Sequence, residues 1–90
     1  MARFVAILTF GDRERRLEVR PQHREYLASL HAQGKLHESG PFADEAGALI
    51  IYEAGDDAEV RLLIEQDPYS KAGVIDHLEI REWRRIIPAN

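Results

Sequence analysis

The sequence predicts an α+β domain with the element order βαββαβ, and three observations support this. Short apolar runs rich in β-branched residues, such as VAILTF and GALIIY, are typical of strands. Two other stretches space their apolar residues at helical intervals. Turn and cap residues separate all of these segments. Because 90 residues suffice for one domain, residues 1–90 are interpreted as a single domain.

The first half of the chain contains a strand, a loop and a helix in turn. The apolar run Arg3–Phe10 predicts a buried first strand. The charged stretch Gly11–Val19 is interpreted as a solvated loop. Because proline favours the first position of a helix, helix one is predicted over Pro21–Gln33. Gly34 then provides its C-terminal stop.

The second half of the chain completes the pattern. Lys35–Phe42 is predicted as strand two, broken near its end by a glycine-proline pair, and Gly47–Ala54 as strand three. Asp56–Gln66 begins with capping-box spacing and is predicted as helix two. An Asp-Pro pair ends it, because proline disfavours helical geometry in the preceding residue. Gly73–Trp83 is predicted as strand four.

The element order determines the expected topology. Right-handed crossovers give one antiparallel sheet in the order 4-1-3-2 with two helices on one face, which is the ferredoxin-like arrangement. Strands one and three are apolar at successive positions, which predicts that both sheet faces are covered. Two helices suffice for one face only. We therefore expect a second copy of the chain on the other face, as in a symmetric homodimer.

Two polar residues fall on the inward faces of the predicted helices. At about 100° per residue, His23 shares the apolar stripe of helix one with Leu27 and Leu30. Asp67 falls on the stripe of helix two, seven residues after Val60. The topology places the start of helix one and the end of helix two at the same end of the sheet. His23 and Asp67 are therefore candidate partners in one pocket.

This pairing indicates acid–base chemistry. A carboxylate fixes the tautomer of a histidine and leaves its second nitrogen to exchange a proton. The predicted helix start favours the neutral imidazole, whereas the carboxylate favours the charged form. The ends of strand two and helix two supply candidate ligand-contacting residues: Tyr69, Ser39, Gly40 and Ser70. The alternative is structural, with His23 as a core or cap residue and Asp67 as a turn residue.

Composition argues against several classes of function. The net charge of −4 argues against nucleic acid or an anionic membrane as partner. The sequence lacks cysteine, and its histidines lack metal-ligand spacing, so no metal site and no cofactor are expected. The apolar start is too short for a membrane span and lacks the cleavage region of a signal peptide. We expect a cytoplasmic protein.

Two segments resemble the YciI-like (YCII-related) family. They are RPQHREYLASLHAQGKLHESGP and DPYSKAGV, with a looser likeness at REWRRI. The resemblance implies a small dimeric α+β barrel, distantly similar to muconolactone isomerases, with a pocket histidine and aspartate matching His23 and Asp67. It also implies lyase or isomerase chemistry on small cyclic or aromatic compounds. The segment Phe42–Ala46 is shorter than in many members, which predicts a more open pocket.

The leading hypothesis is thus a lyase or isomerase that uses His23 and Asp67 on a small cyclic or aromatic metabolite. A non-catalytic module that binds a small molecule is the first alternative. The second is a partner protein whose dimer surface is its function.

Overall fold

The computed structural model describes residues 1–88, which form four strands, two long helices and a one-turn helix. The elements are β1 Ala2–Phe10, α1 Arg13–Ala32, β2 Leu36–Pro41, β3 Gly47–Ala54, α2 Asp57–Glu65, α3 Pro68–Lys71 and β4 Ile75–Trp83. The predicted βαββαβ order is therefore confirmed, with α3 added between α2 and β4.

The four strands form one antiparallel sheet in the order β2-β3-β1-β4, which is the predicted order. β1 pairs with β3 along nearly its whole length, from Ala2 opposite Ala54 to Thr9 opposite Gly47. β4 and β2 occupy the two edges. This is the ferredoxin-like topology expected from the right-handed crossovers.

The core lies between the sheet and the helices. Alternate residues of β1 and β3 point towards the helices and are almost fully buried, as period-two alternation requires. Together with residues of α1, β2 and α2 they form the main cluster: Phe4, Ala6, Leu8, Leu27, Leu30, Leu36, Ile50, Tyr52, Ala54, Val60 and Ile64. The opposite face carries Val5, Ile7, Leu49 and Ile51, which remain partly exposed.

The predicted start of helix one was wrong. Most of the stretch Gly11–Val19, interpreted as a loop, is helical, because α1 begins at Arg13. The side chain of Asp12 caps it by accepting the backbone N–H of Arg15 at 3.0 Å. Pro21 is an internal helix residue, where it lacks the N–H that would otherwise bond to the carbonyl four residues earlier.

The composition of the buried face explains this error. The buried residues of α1 recur at helical spacing, but two of them are polar: Arg16, Val19, His23, Leu27 and Leu30. A search for apolar periodicity therefore finds only the second half of the helix. His23 lies mid-helix as a result, so the expected influence of a helix start on its imidazole does not apply.

Smaller differences concern the strand ends. β2 continues through the Gly40-Pro41 pair that was predicted to break it, because Pro41 lies at the end of an edge strand, where a missing N–H is tolerated. β4 begins at Ile75, two residues later than predicted. Gly34 has φ 77°, the left-handed conformation of a helix C-terminal stop, as predicted.

Candidate active site

α1 and α3 bring the two predicted polar residues into contact. The Nδ1 of His23 lies 2.8 and 3.0 Å from the two carboxylate oxygens of Asp67. Both side chains are buried, with 9% of His23 and 1% of Asp67 exposed. Since a carboxylate only accepts hydrogen bonds, Nδ1 carries the proton and donates a hydrogen bond to Asp67. The other ring nitrogen, Nε2, then holds a free lone pair.

The chain turn after α2 fixes the position of Asp67. Its Oδ1 also accepts the backbone N–H of Tyr69 at 2.9 Å, so Asp67 is the N-cap of α3. Pro68 at the first helical position supports this turn, because its missing N–H needs no partner there. A standard Asp-Pro helix start thus also orients a carboxylate towards α1.

Tyr69 holds the imidazole from the side. Its ring stacks on that of His23 with 3.7 Å between the centroids and 7° between the planes. Phe10 contacts Tyr69 edge-on at 5.4 Å, so the tyrosine is itself enclosed. The ring of His23 is therefore fixed by one hydrogen-bonded partner and one stacked partner.

A cavity of about 550 Å³ opens beside His23, a volume in the range of small-molecule sites. Residues of α1, β2 and β3 line it, together with Phe10, Glu45 and Tyr69. Its apolar lining includes the following residues: Phe10, Leu27, Leu36, Ala48 and Ile50. Among residues 1–88, nothing hydrogen-bonds to Nε2 of His23, which leaves this nitrogen for a ligand in the cavity.

The predicted ligand-contacting residues divide into two groups. Tyr69, Ser39 and Gly40 line the cavity, the latter two from β2. Ser70 lies outside the lining, and its backbone N–H bonds to the Asp67 carbonyl within the α3 turn. Asp67 also lies outside the lining, so it reaches a ligand only through His23.

Sequence reasoning missed a row of three arginines on α1. Arg16, Arg20 and Arg24 line the cavity and follow one another at four-residue intervals, on one face of the helix. This spacing is visible in the sequence, but it carries meaning only if the helix begins before Pro21. The short segment Phe42–Ala46 also contributes a charge, because Glu45 lines the cavity too.

The arginines act electrostatically on the phenol of Tyr69. Burial raises its pKa above the ordinary value, while the charges of Arg16, Arg20 and Arg24 oppose that shift. Asp67 adds a smaller effect in the direction of burial. The phenol therefore stays protonated at neutral pH and keeps a hydrogen to donate.

Two further structural findings concern ligands and membranes. Within residues 1–88, no group of three or more His, Asp or Glu side chains is arranged to hold a metal ion. No helix in the same part of the chain has the length and apolar content needed to cross a membrane.

Comparison with known proteins identifies the family. The YCII-related domain matches residues 2–84, almost the whole chain. The chain belongs to the YCII-related family. Two Protein YciI sequences, from Escherichia coli O6:H1 and Shigella flexneri, are each 30% identical over 83 residues, covering 81% of this chain and 85% of the relative. The predicted resemblance is thus confirmed.

Solved structures share the fold of this YCII-related domain. One is a 5-chloro-2-hydroxyhydroquinone dehydrochlorinase, TftG, from Burkholderia phenoliruptrix AC1100, in complex with 2,5-dihydroxybenzoquinone. It has a TM-score of 0.79 and 26% identity, covering 91% of this chain and 93% of TftG. An antibiotic biosynthesis monooxygenase has a TM-score of 0.60 at 14% identity, covering 96% and 99%, which shows the fold alone. This fold therefore carries enzyme chemistry on a small molecule in TftG.

Proposed function

We propose that this YCII-related domain is a lyase or isomerase that acts on a small cyclic or aromatic compound through His23. The contact that carries the proposal is the buried hydrogen bond from His23 Nδ1 to Asp67, with Nε2 left free beside a cavity. A free imidazole exchanges one tautomer for the other, whereas this one is held with its lone pair at Nε2. Asp67 is the positioning residue and His23 the acid–base group.

The chemistry follows from this arrangement. Nε2 accepts a proton from a hydroxyl or an acidic C–H of the bound compound. The electron pair left behind forms a new double bond, and a leaving group departs with the electrons of the bond that breaks. In an isomerisation, His23 returns the proton to a different atom instead. Asp67 stabilises the charged imidazole that exists between the two proton transfers.

The cavity suits a ring-shaped compound with polar substituents. Its apolar side chains cover a flat ring, whereas the phenol of Tyr69 and the hydroxyl of Ser39 offer hydrogen bonds. A dehydrochlorinase with the same fold, bound to a dihydroxyquinone, supports this substrate class for a relative at 26% identity. For this chain we propose hydroxylated benzenes or quinones that carry a leaving group.

The test is a turnover assay on chlorinated hydroxyhydroquinones. Turnover is measured as the release of chloride and as the ultraviolet absorption of the quinone product. His23→Gln is expected to lose about 10²- to 10⁴-fold in kcat, the usual contribution of a general acid–base group. His37→Gln is the matched control, because His37 also lines the cavity but already hydrogen-bonds to Glu53 through Nε2.

The outcome separates the hypotheses. Turnover that survives in His23→Gln would overturn the role of His23. A compound that stabilises the protein yet returns unchanged after long incubation would favour the non-catalytic binding module. A cavity that binds none of these compounds would favour the partner protein.

The proposal includes assembly as a homodimer through the open sheet face. That face exposes part of Val5, Ile7, Leu49 and Ile51, and Trp83 is 43% exposed beside them. Soluble monomers rarely present such a contiguous apolar surface. In sedimentation at micromolar concentration, Ile51→Glu should give a monomer. Leu62→Glu, on the exposed side of α2, should leave the dimer intact, and a monomeric wild type would refute the interface.

A further inference from the structure

The cavity is positively charged, although the chain as a whole is negatively charged. The protein has a net charge of −4, whereas the charged side chains lining the cavity are three arginines and the two glutamates Glu38 and Glu45. With its histidines neutral, the cavity is therefore cationic by one charge. A cationic concave surface on an acidic protein indicates selection for an anion rather than general solubility.

Arg16 is the most unusual of these groups. Its side chain is only 4% exposed, and its guanidinium carbon lies 4.4 Å from the centre of the Phe10 ring. Nε has no hydrogen-bond partner among residues 1–88. A buried, always-charged group with an unused donor lacks the partners that normally offset its desolvation.

The carboxylate that pairs with Arg16 is a poor partner. An oxygen of Glu45 lies 3.8 Å from a terminal nitrogen of Arg16, which is too long for a hydrogen bond. Half of the Glu45 side chain is exposed, so water screens this pair. Glu45 also adopts φ 59°, an unfavourable backbone conformation for a non-glycine residue. This contact leaves the positive charge of Arg16 largely uncompensated.

We infer that the cavity takes a small aromatic or cyclic anion, whose negative group binds at Arg16 while its ring lies on the apolar lining towards His23. Carboxylates and ionised hydroxyquinones belong to this class, because both present oxygens that a guanidinium binds through two donors. Arg20 and Arg24 extend the positive wall along α1. The inference rests on the proposed function only for the position of the reacting atom at His23.

The anion is also consistent with the chemistry at His23. A compound held at Arg16 by its negative oxygen is fixed in orientation before proton transfer. Such positioning lowers the entropic part of the activation barrier. Arg16 is therefore a binding and orienting residue, not an acid–base group. Its charge also opposes the cost of placing a negative group beside the buried Asp67.

The experiment compares two probes that differ by one charge, 2,5-dihydroxybenzoate and 2,5-dihydroxybenzamide. Binding is followed by calorimetry and by amide chemical shifts, which locate the probe in the cavity. We expect the benzoate to bind about ten- to a hundredfold more tightly than the benzamide, the usual range for charged hydrogen bonds. Equal binding of the two probes would overturn the inference.

Neighbouring arginines provide a matched pair of variants. Arg16→Gln should remove most of the preference for the benzoate, whereas Arg15→Gln changes the net charge equally but lies outside the lining and should preserve it. Glu45→Gln should tighten benzoate binding several-fold, because it removes a competing carboxylate. If Arg16→Gln does not fold, Arg16→Lys and Glu45→Gln decide: unchanged preference in both would contradict the site.

Binding and turnover can fail separately. His23→Gln retains the arginines, so it should keep the preference for the benzoate over the benzamide, even where the affinity for both probes changes. Selective anion binding without any turnover would leave this site in place and refute the proposed function. Turnover of neutral compounds with no preference for anions would support the proposed function and refute the anion site.

Discussion

Two histidine–carboxylate pairs in this molecule have the same chemistry and opposite surroundings. His23 and Asp67 are 9% and 1% exposed, whereas His37 and Glu53 are 32% and 22% exposed. The first pair bonds through Nδ1 and has a stacked tyrosine, and the second bonds through Nε2 between two neighbouring strands. Residue type alone thus does not identify a candidate site. Burial and the nitrogen left free distinguish the two pairs.

Removal of the carboxylate should lower the stability of the protein much more for the first pair than for the second. This is the largest difference that we expect between the two pairs. Asp67→Ala leaves His23 buried without its partner and removes the N-cap of α3, so we expect a loss of about 3–5 kcal/mol in the free energy of unfolding. Glu53→Ala should cost less than about 1 kcal/mol, as for other water-accessible pairs. Urea unfolding measures both. Similar losses in the two variants would show that burial does not distinguish the pairs.

Tyr52 extends the comparison to a buried polar group that, unlike His23, has no partner among the described residues. Its side chain is fully buried, and its hydroxyl has no hydrogen-bond partner among residues 1–88. Tyr52→Phe should therefore stabilise the protein by about 1 kcal/mol. Tyr26→Phe is the control, because the Tyr26 hydroxyl donates to the carbonyl of Leu63, and we expect it to destabilise by about 1 kcal/mol.

The same tyrosine predicts how stability depends on alkaline pH. Burial, followed by the charges of Asp67 and Tyr26, raises the pKa of Tyr52 well above its ordinary value. The unfolded chain therefore loses this proton first, near pH 10, and stability should fall above that pH by about 1.4 kcal/mol per pH unit. Below pH 10 this group contributes no slope. Tyr52→Phe should flatten the alkaline limb of the unfolding curve, and an unchanged limb would contradict the assignment.

The smallest effect is spectroscopic. With all imidazoles neutral, ¹⁵N chemical shifts should show the proton on Nδ1 of His23 and on Nε2 of His37, because those nitrogens face carboxylates. Asp67→Asn should raise the fraction of His23 protonated on Nε2, since the amide can donate to Nδ1. Glu53→Gln should leave the His23 signals in place. Two identical tautomers in the wild type would remove the basis of the comparison.

The sheet order and the contact between His23 and Asp67 could be predicted from the sequence, although these two residues are 44 positions apart. The contact was predicted although the predicted start of helix one was wrong, because the helical phase of His23 relative to Leu27 and Leu30 does not depend on where the helix begins. The arginine row was missed for a physical reason. Arg16 and His23 occupy buried positions with polar side chains, so the first turns of α1 lack an apolar pattern.

A longer-range packing detail was also inaccessible to sequence reasoning. The stacking of Tyr69 on His23 depends on the one-turn helix α3, whose four residues are too few to show any periodicity. Tyr69 was predicted as a ligand-contacting residue. The structure adds that its ring face is already occupied by the imidazole.

A single oxygen atom of Asp67 constrains how this chain can diverge. Oδ1 accepts both the Nδ1–H of His23 and the backbone N–H of Tyr69, so one atom joins the imidazole to the turn that carries its stacked neighbour. Asparagine at position 67 can keep the cap of α3, because its side-chain oxygen still accepts the N–H of Tyr69, but a residue without a side-chain oxygen loses both contacts. A descendant with alanine at this position would therefore lose the partner of His23 and the cap of α3 in the same step.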